Sequence, residues 1–166
     1  GRCVQENGPA AGVVIATGRS HIFLKTQTKR IDPMNDMAFE VTLEMPYEEA
    51  VDTVVDALKQ EGFGVLTRID VHDTLKEKID VDFRKYSILG ACNPPLAHRA
   101  LENEPTVGVM LPCNVTVEEH PEGALVTIMN PAAMMGMPPL SENEALSEVA
   151  VEARARLERV LQALQA

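Results

Sequence analysis

The chain has 166 residues, a net charge of −10 and a sequence pI near 4.8, a field that repels phosphate backbones and anionic lipid surfaces. Nucleic acid is therefore not an expected partner, and no basic patch inside the domain offsets the charge. No apolar run approaches the ~20 residues of a membrane span, and three cysteines at irregular spacing (Cys3, Cys92, Cys113) argue against a disulfide framework and for a reducing, cytoplasmic setting.

Residues 1–36 differ from the rest. They carry five basic and three acidic residues, whereas residues 37–166 carry ten basic and twenty-two acidic. Val13–Ile15 and Ile22–Leu24 around Gly18 would suit a hairpin over Gly12–Lys25, with too little apolar surface to fold alone. Asp32–Asp36 reads as a linker. The expectation is an N-terminal extension, 1–36, ahead of one α+β domain, 37–166.

From Met37 the pattern sharpens. Phe39, Val41 and Leu43 alternate with Glu40, Thr42 and Glu44, as in a half-buried strand. Pro46 suits the start of a helix with Glu48 and Glu49 in its first turn. Tyr47, Ala50, Val51, Val54 and Leu58 recur at helical spacing until Gly62 provides the C-terminal cap. Strands are expected at Val65–Val71, Ser87–Ala91, Val107–Leu111 and from Val115. A short helical turn is expected at Asp73–Lys78, and a short helix after Asn93-Pro94 ended by Pro105. A hairpin through His120–Gly123 returns along Ala124, Val126 and Ile128.

Ser141 and Glu144 read as a capping box. Beyond them Leu146, Val149, Ala150, Ala153, Leu157, Val160, Leu161 and Leu164 form one stripe of a helix of roughly 24 residues. Such a helix must bury that stripe on something large. The order strand, helix, several strands, long helix implies a two-layer α+β domain with an antiparallel sheet.

The segments Met45–Ala50, Gly62–Asp70, Gly90–His98 and Val109–Val115 resemble the bacterial family called domain of unknown function 302, with the likeness running from about Met37 to the C-terminus. The resemblance implies a fold like that of the TATA-binding protein (β-α-β-β-β-β-α), a homodimer, an origin in a thermophilic bacterium, and no established reaction or cofactor. DNA binding does not follow from the fold.

Chemistry concentrates at sulfur. Cys92 precedes the expected N-cap Asn93, where a helix dipole would favour a thiolate. Cys113 stands at a strand end, and His98 lies between them with a nitrogen to offer. Together Cys92, Cys113 and His98 would suit zinc or copper as a metal set. Their bland counterpart is a pair of buried, inert thiols beside a surface histidine. Met134 and Met135, with Met129 and Met137, cluster around Asn130-Pro131, fit either to complete a soft-metal site or to line an adaptable groove. There is no Gly-rich phosphate loop, no Gly-x-Ser-x-Gly elbow and no His-Glu-x-x-His. The leading expectation is a non-enzymatic, dimeric ligand-binding or interaction module, with a small-molecule cleft bordered by residues 129–139. A thiol- or metal-dependent protein using Cys92, Cys113 and His98 is the alternative.

Overall fold

A computed structural model describes residues 37–166. The hairpin expected at 12–25, the linker at 32–36 and the rest of the extension lie outside the described residues. Five strands form one antiparallel sheet: β1 (Ala38–Leu43), β2 (Gly64–Asp70), β3 (Tyr86–Cys92), β4 (Cys113–His120) and β5 (Gly123–Met129). Their order is β1-β5-β4-β3-β2, so β1 and β2 are the edges. Helix α1 (Tyr47–Gln60) follows β1, α2 (Val71–Ile79) follows β2, and α3 (Pro94–Asn103) follows β3. The short α4 (Pro131–Met135) and the long α5 (Glu144–Leu164) close the chain.

The alternation in the strands decides which face is dry. Ala124, Val126 and Ile128 of β5, Val115 and Val117 of β4, and Leu89 of β3 are fully buried. They meet Val54 and Leu58 of α1 and Leu157 and Val160 of α5 in one aliphatic core. A polar clamp ties this layer at its edge. The Tyr47 hydroxyl shares a hydrogen bond with the fully buried Ser87, whose hydroxyl donates to Asp70. α1 ends in paired backbone bonds, Gly62 N to Lys59 O and Phe63 N to Leu58 O, with Gly62 at φ +81°. This closure satisfies the Leu58 and Lys59 carbonyls at the turn into β2.

Helix α5 does two jobs. Its C-terminal half packs on the sheet and α1. Its first half, through Leu146, Val149, Ala150 and Ala153, forms a second apolar cluster with Leu96 and Ala100 of α3 and Met135 of α4. The expected long amphipathic helix is thus present, but only half of it lies over the sheet layer.

Two local expectations are corrected. Residues Pro105–Met110 form a 3-10 helix, not a strand. Pro105 sits in its first turn and the Glu104 carboxylate accepts from Thr106 N, which holds the backbone in a helical turn. Val107 alone is fully buried, and Val109 is 86% exposed. At α5 the cap is Asn143, whose Oδ1 accepts from Leu146 N at 3.2 Å. Ser141 belongs to a separate turn, Leu140–Glu142, and α5 runs for 21 residues. The Asx side chain next to the first helical residue satisfies an orphan N–H that Ser141 is two residues too early to reach.

Candidate functional site, a thiol-lined apolar cleft

Between the two apolar clusters lies a half-open cleft. β3 and β4 supply its floor with Ala91, Cys92 and Cys113. α3 supplies Leu96, Ala97 and Ala100. α5 supplies Val149 and Ala153, and the 129–139 segment, expected to border a cleft, supplies Pro131 and Met135. Its free space is about 20 Å³, on the scale of one water molecule. A stable water also needs two to four polar partners. Among the described residues, no Asp, Glu, Lys, Arg or His lines this space, and the one amide there, Asn93, is engaged elsewhere. The cleft therefore favours an apolar guest.

Asn93 fixes the geometry. It is 6% exposed and caps α3, its Oδ1 accepting from Leu96 N at 3.3 Å. Its Nδ2 donates to Glu61 O at 3.5 Å, and Arg156 of α5 donates to the same carbonyl at 3.3 Å. One carbonyl at the end of α1 thus fastens both walls. Gly62 permits this approach: a Cβ there would lie 3.0 Å from Asn93 Nδ2.

The sequence places Cys92 at the end of β3 and Cys113 at the start of β4, and the register sets Cys113 opposite Ala91, next to Cys92. Both cysteines line the cleft. Burial pushes the Cys92 thiol up. Burial, and secondarily the neighbouring Cys92, push Cys113 from 9.0 up to about 11. This corrects the expectation of a dipole-favoured thiolate at Cys92. The Asn93 side chain takes the N–H at Leu96 that an anion would have used, and desolvation prevails. Both sulfurs are protonated at neutral pH, so neither is an activated nucleophile. Cys92 is expected to alkylate more slowly than free cysteine at pH 7.5, with the rate still rising above pH 9. Iodoacetamide kinetics followed by intact mass would show this, and a rate above that of free cysteine would refute it.

The remaining residues singled out in the sequence divide. Met135 is 5% exposed and lines the cleft, whereas Met134 is half-buried and does not line it. His98 stands on the outside of α3, 72% exposed, with Nδ1 3.4 Å from Glu102. It does not join the two cysteines, because its place on α3 turns it away from the face carrying Leu96 and Ala100. Among the described residues, no group of three or more His, Cys, Asp and Glu side chains gathers to hold a metal ion. Three sulfurs, Cys92, Cys113 and Met135, remain at one cleft. Such a donor set would suit a soft monovalent cation of low coordination number better than tetrahedral zinc. Sequence reasoning missed most of the lining, Phe63, Leu96, Leu111, Val149 and Ala153. Their only signal was the apolar spacing that also marks an ordinary core.

The model of the family described as domain of unknown function DUF302 matches residues 39–164. No curated protein matches the chain. A crystal structure of an uncharacterized conserved DUF302 protein from Bacillus stearothermophilus superposes with a TM-score of 0.68 at 31% identity. The match covers 76% of this chain and 97% of that one. Among the described residues, no helix is long and apolar enough to cross a membrane.

Proposed function

The chain belongs to the DUF302 family, and we propose that it is a non-enzymatic binding module that takes a small apolar group in the cleft between α3, α5 and the β3–β4 floor and, as the family resemblance implies, works as a homodimer. One observation carries this reading: among the described residues, the lining offers no charged side chain, and its only titratable groups are two thiols held neutral by burial. Such a surface cannot exchange protons near neutral pH, because general acid–base catalysis needs a group whose pKa lies near the working pH. It can remove apolar area from water at about 25 cal/mol per Å². The bordering methionine and the half-open rim let the cleft widen around the end of an alkyl chain, since an unbranched thioether repacks readily.

The test uses 1-hexanol as the probe, followed by methyl NMR of the full chain. Shifts are expected at Leu96, Met135 and Val149, with a dissociation constant on the order of 1 mM, or about −4 kcal/mol. Ala97→Leu, which places an isobutyl group at the half-buried rim of α3, should weaken binding about tenfold. Cys92→Ala, which removes the thiol and keeps the lining apolar, should leave it within about threefold. Saturable shifts elsewhere, or none, would overturn the reading. Loss of binding in Cys92→Ala would favour the thiol- or metal-dependent alternative.

A further inference from the structure

The cleft holds about 20 Å³ of free space, enough for the tip of an alkyl chain and no more, so the rest of any guest leaves through the mouth. Most lining residues are buried, whereas Cys92, Ala97 and Leu111 are half-buried and mark that mouth. Beyond it the surface stays apolar. Leu101 stands one turn after Ala97 on the same flank of α3 and is 40% exposed. Its Cδ2 lies against Gly108, 3.6 Å from where a Cβ would stand. Gly108, Val109 and Leu111 belong to one tight turn, closed by Leu111 N donating to Gly108 O at 3.2 Å, and Val109 is 86% exposed. Ala97, Leu111, Leu101 and Val109 thus form an apolar strip that starts in the cleft and runs out onto the surface. A single exposed valine needs no explanation, but a strip continuous with a buried apolar cleft extends that site.

Charge sets the other end of the guest. From Leu101 to Ala153 the chain carries nine glutamates and no lysine, arginine or aspartate. This stretch builds the outer part of the strip, β4, β5, α4 and the first half of α5. Glu102 and Glu104 follow Leu101; His98 faces Glu102, and Glu104 accepts from Thr106. The arginines beside the cleft are occupied: Arg99 pairs with Glu152 and Glu148, and Arg156 with Glu152 and the Glu61 carbonyl. Among the described residues, a carboxylate or phosphate head leaving the strip therefore meets no unpaired lysine or arginine, in the field of a chain of net charge −10.

We propose that the guest is a free single-chain amphiphile: the end of an unbranched alkyl chain enters the cleft, its next methylenes lie along Ala97, Leu111, Leu101 and Val109, and its head group is uncharged or cationic. The proposal rests on the apolar-cleft reading above and names the class of its ligand. A slim unbranched chain enters so narrow a space where a ring or a branched group does not, and the strip then shields methylenes that the cleft is too small to hold.

Methyl NMR of the full chain at pH 8, read at Leu96 and Met135, tests this with an alcohol series. A methylene fully removed from water tightens binding about fourfold, so one half-covered by the strip should give about twofold. 1-Decanol is therefore expected to bind about fifteenfold tighter than 1-hexanol. Val109→Asp and Leu101→Ser, both at exposed positions, should cut that ratio to about fivefold or less while leaving 1-hexanol within about twofold. Val151→Asp, at another exposed valine on α5, should change neither. At low salt decyltrimethylammonium should bind about tenfold tighter than decanoate, and about 0.5 M NaCl should erase most of the difference. A decanol affinity no better than that of hexanol, or a gain that Val109→Asp leaves intact, would overturn the strip while the cleft reading stands. Decanoate binding as tightly as the ammonium would overturn the head-group assignment. Absence of any 1-hexanol shift would overturn the cleft reading and this proposal together. Adhesion to neutral phosphatidylcholine vesicles that Val109→Asp abolishes would overturn the free amphiphile in favour of a membrane lipid.

Discussion

Gly123→Ala is expected to remove about 4 kcal/mol of stability, the sum of a few kcal/mol of overpacking and the strain of a side chain at positive φ. Gly123 opens β5 at φ +127°, a region that residues with a Cβ rarely enter. A Cβ there would lie 2.1 Å from Leu43 O, 2.9 Å from Met45 N and 3.0 Å from Met45 O. All three are backbone atoms, so no rotamer change can relieve the contact. Leu43 ends β1 and is paired with Ala124, and Met45 leads into the first turn of α1. The clash therefore falls where the edge strand hands over to the helix that roofs the core. Denaturant unfolding should show a lower midpoint at unchanged slope, and Tm should fall by about 10 °C. Gly64→Ala is the internal control: nothing lies within 4 Å of its Cβ, so its effect should stay within ~0.5 kcal/mol. Equal losses in the two variants would refute the argument.

What the sequence made legible follows how locally each feature is encoded. The alternation at Phe39, Val41 and Leu43 and the turn at His120–Gly123 each carry a complete signal within a few residues, and both elements stand where expected. The stripe on α5 was equally plain, but the sequence could not say that its two halves serve different partners. Leu157 and Val160 reach the sheet core while Leu146 and Val149 reach α3 and α4. That division depends on where α3 lies in space, which no periodicity records. The cleft is the consequence of this division. It forms at the seam where one apolar cluster gives way to the next, so its lining has the composition of a core. Only its two cysteines, Asn93 and Met135 stood out beforehand. Val107, Val109 and Leu111 misled because three alternating aliphatics satisfy a period of two, while the proline at 105 and the Glu104 cap commit the same stretch to a helical turn. His98 was drawn toward the sulfurs by its position between them in the chain, although on a helix the side of the cylinder matters more than the interval.

A dry cleft makes a second prediction, in alkaline stability. Cys113 is 6% exposed, and its thiol is raised from 9.0 to about 11. Unfolding returns it to water, where it ionises at the lower value. The folded state therefore holds its full contribution below pH 9 and loses it as pH rises through about 11. Two units correspond to about 3 kcal/mol, of which about 2 kcal/mol should be gone by pH 11. Cys113→Ala isolates the effect. At pH 7 the variant should be less stable by about 1–2 kcal/mol, from the lost apolar volume. On the alkaline side its curve should fall less steeply, so that the two proteins converge near pH 11. Tyrosines and lysines also titrate there, but they are common to both proteins and cancel in the difference. Thiolate absorbance at 240 nm in the folded chain gives an independent reading, with Cys92→Ser leaving Cys113 as the remaining thiol of the cleft. Parallel alkaline limbs, or a Cys113 that ionises near 9, would mean that water reaches the floor of the cleft. A water-filled floor would have no preference for an apolar guest, and the binding reading would fall with it.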